Sequence, residues 1–230
     1  MMINSNMLNL KFFGPLLLAL TLSGCAAPGA QGDAHAFFRS AQLDDTRTMR
    51  ALLAGGLDPN LTEPQRGDTG MILALREDAN KVFALLLEQP TLKLEATSGN
   101  GDTALMMASY QHNLPAVLAL LKKGAQVNRP GWSALHYAAA SGDEAIARRL
   151  LEHHATIDAE SPTSVTPLMI AAREGHQGAV RLLLDAGADA SLTSSDGMSA
   201  LQFAQKADKP IIAAAIAAHL KAVSLRRPRP

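Results

Sequence analysis

The chain has one cysteine, Cys25, one tryptophan and two tyrosines in 230 residues, and neither charge is in excess. A lone thiol excludes an internal disulfide framework and any multi-cysteine zinc or iron-sulfur site. Basic and acidic side chains balance at 21 each, so no global positive field collects phosphate backbones, and nucleic acid is a poor partner. With 47% hydrophobic and 18% charged residues the composition is that of a folded globular chain, not a disordered one. Long hydrophobic runs are missing too: the apolar stretch at residues 12–22 falls short of the roughly 20 residues that span a bilayer, and no later stretch is long and apolar enough.

What residues 12–22 do have is the length of the apolar core of a secretion signal. Lys11 precedes it and Leu22-Ser23-Gly24-Cys25 follows. This tetrapeptide resembles the bacterial lipobox, Leu-x-Gly/Ala-Cys. The resemblance implies cleavage after residue 24 and a Cys25 that carries lipid through a thioether and its freed amine. Several acyl chains give durable anchoring where one gives marginal binding. Ala26, not Asp, follows the cysteine, which by the same resemblance directs the protein to the outer membrane, facing the periplasm. Met1 and Met7 are both possible starts and yield the same mature chain. Residues 1–24 thus read as signal peptide and 25–33 as lipidated cysteine and flexible tether.

The rest of the chain repeats itself. Thr69-Gly-Met-Ile, Thr103-Ala-Leu-Met, Ser133-Ala-Leu-His, Thr166-Pro-Leu-Met and Ser199-Ala-Leu-Gln stand 34, 30, 33 and 33 residues apart. Phe37 to Asp44 is a worn earlier copy. Leu-Leu pairs recur in register at 52–53, 86–87, 120–121, 150–151 and 183–184. Each Thr or Ser can accept a hydrogen bond from free N–H groups at a helix start, and Pro167 falls at a first helical position where its missing donor costs nothing. A second helix follows in each copy and ends at Gly56, Gly124 or Gly187, residues suited to a left-handed cap. Small residues such as Ala108, Ala138-Ala139 and Ala171-Ala172 allow close helix approach, and Met71, Met106, Met107 and Met169 fall on core positions.

This pattern resembles the ankyrin repeat, over about residues 34–223. The resemblance implies an all-α solenoid of six helix-turn-helix repeats whose end copies act as caps, followed by a basic, Pro-rich tail at 224–230. Departures carry their own expectations. His154 replaces the capping glycine, so a non-glycine left-handed residue or a different cap is expected there. The second helix of repeat two should stop before Pro90. The 30-residue spacing makes the connector Asn128-Arg-Pro-Gly-Trp132 about three residues short.

Chemistry is thin. Gly99-Asn-Gly101-Asp-Thr-Ala104 fits a dinucleotide fingerprint on paper but lacks the buried strand and βαβ unit it needs. Ser133 follows Gly131-Trp132 but Leu135 stands where a nucleophile elbow has glycine, and Ser133 is a helix cap. His153 and His154 are neighbours, so they point about 100° apart on a helix and cannot readily share a metal. His136 belongs to the repeat signature and should bond neighbouring backbone. No catalytic residue, metal, cofactor or small-molecule substrate is expected.

By the family resemblance, the binding surface is the concave flank. Its finger tips would be Asp68, Asp102, Trp132, Val165 and Met198. Its inner helices would present Arg76, Glu77, Tyr110, Gln111, Ala140, Ser141, Arg173 and Glu174. Trp132 and Tyr110 are rigid aromatics of the kind that anchor binding hot spots, although Trp132 could instead fold over its shortened connector, and the charged residues could pair with one another at the surface. The expected function is noncatalytic binding of a protein partner by a preformed surface. A specific inhibitor or immunity protein, and an accessory factor of a periplasmic enzyme, are the alternatives.

Overall fold

The computed structural model describes residues 28–226. The stretch read as signal peptide, Cys25 and the last four residues of the tail lie outside that range. Twelve helices are found among the described residues: α1 (Pro28–Gln42), α2 (Thr46–Ala54), α3 (Gly70–Arg76), α4 (Asn80–Leu87), α5 (Ala104–Tyr110), α6 (Leu114–Lys122), α7 (Ala134–Ser141), α8 (Glu144–Glu152), α9 (Pro167–Glu174), α10 (Gln177–Asp185), α11 (Ala200–Lys206) and α12 (Pro210–Arg226).

They pair into six antiparallel hairpins. Odd-numbered helices stack in one row, α1 on α3, α3 on α5 and so on to α11, and even-numbered helices form a second row from α2 to α12. Most inner helices have only seven or eight residues, too few to persist alone in water. Their stability comes from neighbours. Ile72, Leu105, Leu135 and Leu168 are all but fully buried between successive hairpins, as are Leu120, Ile146, Leu150 and Leu183 in the outer row, so each hairpin shelters an apolar face that it could not shelter by itself.

Local signals act as their chemistry requires. The side-chain oxygens of Thr69, Thr103, Thr166 and Ser199 accept hydrogen bonds from the backbone N–H three residues on, at 3.2–3.4 Å. Gly56, Gly124 and Gly187 have φ of 87°, 92° and 97°, and His154 takes the same left-handed region at 63°. Helix α4 ends at Leu87, before Pro90.

Two expectations need correction. Helix α1 starts at Pro28, so the stretch 28–33 read as tether is helical; proline is suited to a first helical position. At the other end α12 runs to Arg226, past Val223 where it was expected to stop. Ser133 is the N-cap of α7, and His136 Nδ1 lies 2.9 Å from its hydroxyl and accepts its backbone N–H at 3.1 Å, the same return bond of a capping box that Gln202 Oε1 accepts from the Ser199 N–H at 2.8 Å.

Candidate functional site

Between consecutive hairpins the chain reverses in a finger that projects beside the inner row. Four fingers are closed by matching backbone bonds: Glu63 N–H to Asp68 C=O, Ser98 to Asp102, Ser161 to Val165 and Ser194 to Met198, at 2.9–3.0 Å. Fingers are also tied sideways, by Gly99 N–H to Arg66 C=O at 2.8 Å and by Ser195 N–H to Thr163 C=O at 2.9 Å. The finger at 128–132 differs. It is three residues short, follows irregular bends, and has no backbone hydrogen bond to either neighbouring finger among the described residues. The palisade is therefore interrupted between its two bonded pairs.

The surface around that interruption is aromatic. Tyr110 is 50% exposed and Trp132 40% exposed. Trp132 stands edge-on to His136, with ring centroids 5.2 Å apart, and Tyr110 stands edge-on to Tyr137 at 6.2 Å. These rings, with Ala140, Ile170 and Arg173, line a depression of about 140 Å³. Its floor is rigid. His136 accepts at Nδ1, which leaves Nε2 as the donor to Val165 C=O at 2.9 Å, and burial holds the imidazole pKa below its usual value, so the ring is neutral. Tyr137 donates its hydroxyl to Asp102 Oδ1. Burial first, then that carboxylate bond, pushes the phenol pKa far above its ordinary range, so Tyr137 stays protonated.

The predicted docking residues divide by placement. Tyr110, Gln111, Glu77, Arg173, Glu174 and Trp132 are exposed, and Trp132 lines the depression. Asp68 and Val165, expected at finger tips, are buried. Asp68 has no exposed surface and accepts from Arg76 Nε at 3.0 Å and Nη2 at 3.3 Å; a carboxylate is removed from water here because a forked guanidinium meets it. Arg76 thus pairs with Asp68 and not with Glu77. Arg173 does pair with Glu174, at 2.8 Å, as the surface-charge reading allowed. Gln111 donates to Arg76 C=O at 2.7 Å, and Ser141 donates to Ser109 C=O at 3.1 Å, so both lace adjacent inner helices together. Met198 is half-buried against the core.

Tyr137 is absent from the sequence-derived set. Its signal was the period itself, because Tyr137 and Asp102 lie 35 residues apart and so about one repeat apart. A second hollow, about 930 Å³, opens between α1 and the finger at 61–68. Two of its three carboxylates are engaged, Glu63 by the backbone N–H of Gln65 and Arg66 and Asp68 by Arg76, while Glu77 is exposed at its edge. No group of three or more His, Cys, Asp or Glu side chains suited to a metal occurs among the described residues, and no described helix is long and apolar enough to cross a membrane.

Residues 37–130, 91–163 and 128–196 each match the family model for ankyrin repeats. The chain belongs to the ankyrin-repeat family. Among curated relatives it is 31% identical over 154 residues to human (Homo sapiens) SH3 and multiple ankyrin repeat domains protein 2, covering 65% of this chain and 8% of that one. It is 35% identical over 129 residues to palmitoyltransferase Hip14 of Drosophila melanogaster, covering 54% and 20%. It therefore spans a small part of the length of those relatives. Among solved structures it resembles a chain in the complex of the predatory endopeptidase Bd0816 from Bdellovibrio bacteriovorus with immunity protein Bd3460. That likeness has a TM-score of 0.69 and 24% identity, covering 79% of this chain and 96% of the other. At that identity it is a likeness of fold.

Proposed function

We propose that this ankyrin protein is a noncatalytic binding platform, held by lipid on Cys25 at the periplasmic side of the outer membrane, which grips a protein partner on its concave flank. One observation carries the reading: Tyr110 and Trp132 stand half-exposed around a depression on a rigid, hydrogen-bonded floor. Exposed aromatics on a preformed surface lose little ordering entropy on binding and are favoured hot-spot anchors. The engaged state of Asp68, Asp102, Glu63 and His136 argues against acid-base catalysis, because each polar group already serves the fold. The lipid anchor is supported by Leu22-Ser23-Gly24-Cys25 behind an apolar run.

A photoreactive residue at position 132 in intact cells should crosslink a specific protein. Capture only from outer-row positions would overturn the site. Fractionation of wild type and Cys25→Ala with a lipid label tests the anchor: label and membrane association should both disappear in the variant.

A second reading is favoured by the likeness to a chain of the endopeptidase–immunity complex: an inhibitor or immunity protein against a periplasmic enzyme. A pull-down should then return one tight partner whose activity falls on binding, where a general scaffold returns several weaker ones. An accessory role would instead raise the partner enzyme's activity.

A further inference from the structure

We infer that the interrupted finger row creates a side-chain socket, and that the socket takes an aromatic side chain of a partner protein together with a carboxylate close to it in the partner's chain. The inference rests on the platform reading and specifies the partner's chemistry. Its origin is the missing three residues at 128–132. Neighbouring fingers are bonded to one another on both sides of the short one, which itself makes no such bond among the described residues, and Tyr137 and Ala140 of α7 line the depression beside it.

The volume, about 140 Å³, admits one ring and not a ligand with several groups. The walls present aromatic edges and faces from Tyr110 and Trp132, which suit a ring packed edge-to-face. The floor offers no competing polarity, because the Tyr137 hydroxyl is spent on Asp102 and both His136 nitrogens are bonded. Polarity is confined to the rim. Arg173 uses Nε for Glu174, and its two Nη groups make no hydrogen bond among the described residues. Neither does the Trp132 indole N–H. The Arg173–Glu174 pair is about half exposed on both sides, and an ion pair in that setting contributes little, so Arg173 can turn to an incoming carboxylate. One cationic donor, Arg173, and one neutral donor, the Trp132 indole N–H, beside an apolar socket define the occupant: a ring flanked by a negative charge.

The only tryptophan of the chain stands in the wall, so intrinsic fluorescence reads the socket directly. The full-length chain in detergent is titrated with acetyl-Gly-Phe-Asp-Gly-amide, with blank micelles to correct the free peptide concentration. A saturable change is expected in the low-millimolar range, as befits one buried side chain. Replacing Phe by Ala in the peptide should weaken it about tenfold or more. Replacing Asp by Asn should weaken it about threefold, and Arg173→Ala should erase that difference. Ala140→Leu fills the socket from a half-buried position and should abolish the response with an unchanged circular dichroism spectrum. No saturable change, or equal response to the Ala peptide or in Ala140→Leu, overturns the socket. If the partner crosslinked at position 132 is captured equally by Ala140→Leu, the socket is refuted and the platform stands. If capture comes only from the outer row, the platform falls whatever the peptide does.

Discussion

Gly70→Ala tests the packing argument where sequence and structure predict opposite signs. Gly70 is the first residue of α3, and alanine occupies the same place in α5, α7 and α11, at Ala104, Ala134 and Ala200. On repeat pattern and helix propensity alone the substitution stabilises, by up to about 1 kcal/mol. The structure says otherwise. A Cβ at residue 70 would lie 2.4 Å from Cε1 and 2.5 Å from Cζ of Phe37. Phe37 is fully buried and packed edge-on to Phe38 at 5.2 Å, so its ring cannot retreat into water. Overpacking of this kind costs about 1–3 kcal/mol. The propensity gain at a first helical position is a fraction of its interior value, which leaves a net loss of about 1 kcal/mol, or about 2–4 °C in melting temperature for a chain of this size. Solenoids fray from their ends, so thermal melts should be paired with hydrogen exchange of amides in α1 and α3, where protection should fall first. Phe37→Leu shortens the ring's reach, and in the double variant the two losses should sum to less than the singles. If Gly70→Ala alone raises the melting temperature, the proposed contact with Phe37 is wrong.

His136 should make stability depend on pH. Its folded pKa is lowered by burial from an ordinary value of 6.5, so the unfolded chain binds the proton more readily, and the stability from the neutral ring is complete above about pH 6.5 and lost as pH falls through the folded value. Urea titrations should show that slope in wild type and lose it in His136→Gln. Asp68→Ala strands a partly buried Arg76 and should cost about 2 kcal/mol, less than a fully buried pair because Arg76 retains some exposure to water; a double-mutant cycle with Arg76→Met should recover much of it. His154→Gly relieves a left-handed non-glycine backbone at φ 63° and should stabilise by about 0.5–1 kcal/mol in equilibrium unfolding; its carbonyl bond to Asn128 is a backbone feature and survives.

How much was legible depended on chain distance. Thr103 and Thr166 announce helix starts because their hydroxyls reach an N–H three residues away, and Pro90 stops α4 by its own ring. The left-handed turn at His154 was one of the two outcomes that its register with Gly124 and Gly187 allowed. Tyr110 and Trp132 stand out by residue type and are indeed half-exposed. The burial of Asp68 was not legible, since an acidic residue at a finger reads as a wetted tip until Arg76 is known to lie over it. Gln111 and Ser141 likewise read as free polar groups, yet each donates to a carbonyl in the preceding repeat.

By itself the amino-acid order determined the hairpin, its period and its ends, because these follow from bonds and torsions spanning a few residues and repeated six times. Only tertiary structure decided which side chains of successive hairpins touch. Stacking brings residues about 33 positions apart into contact, and there Phe37 forbids a side chain at Gly70, Asp102 immobilises Tyr137, and a connector three residues short becomes an opening walled by Tyr110 and Trp132.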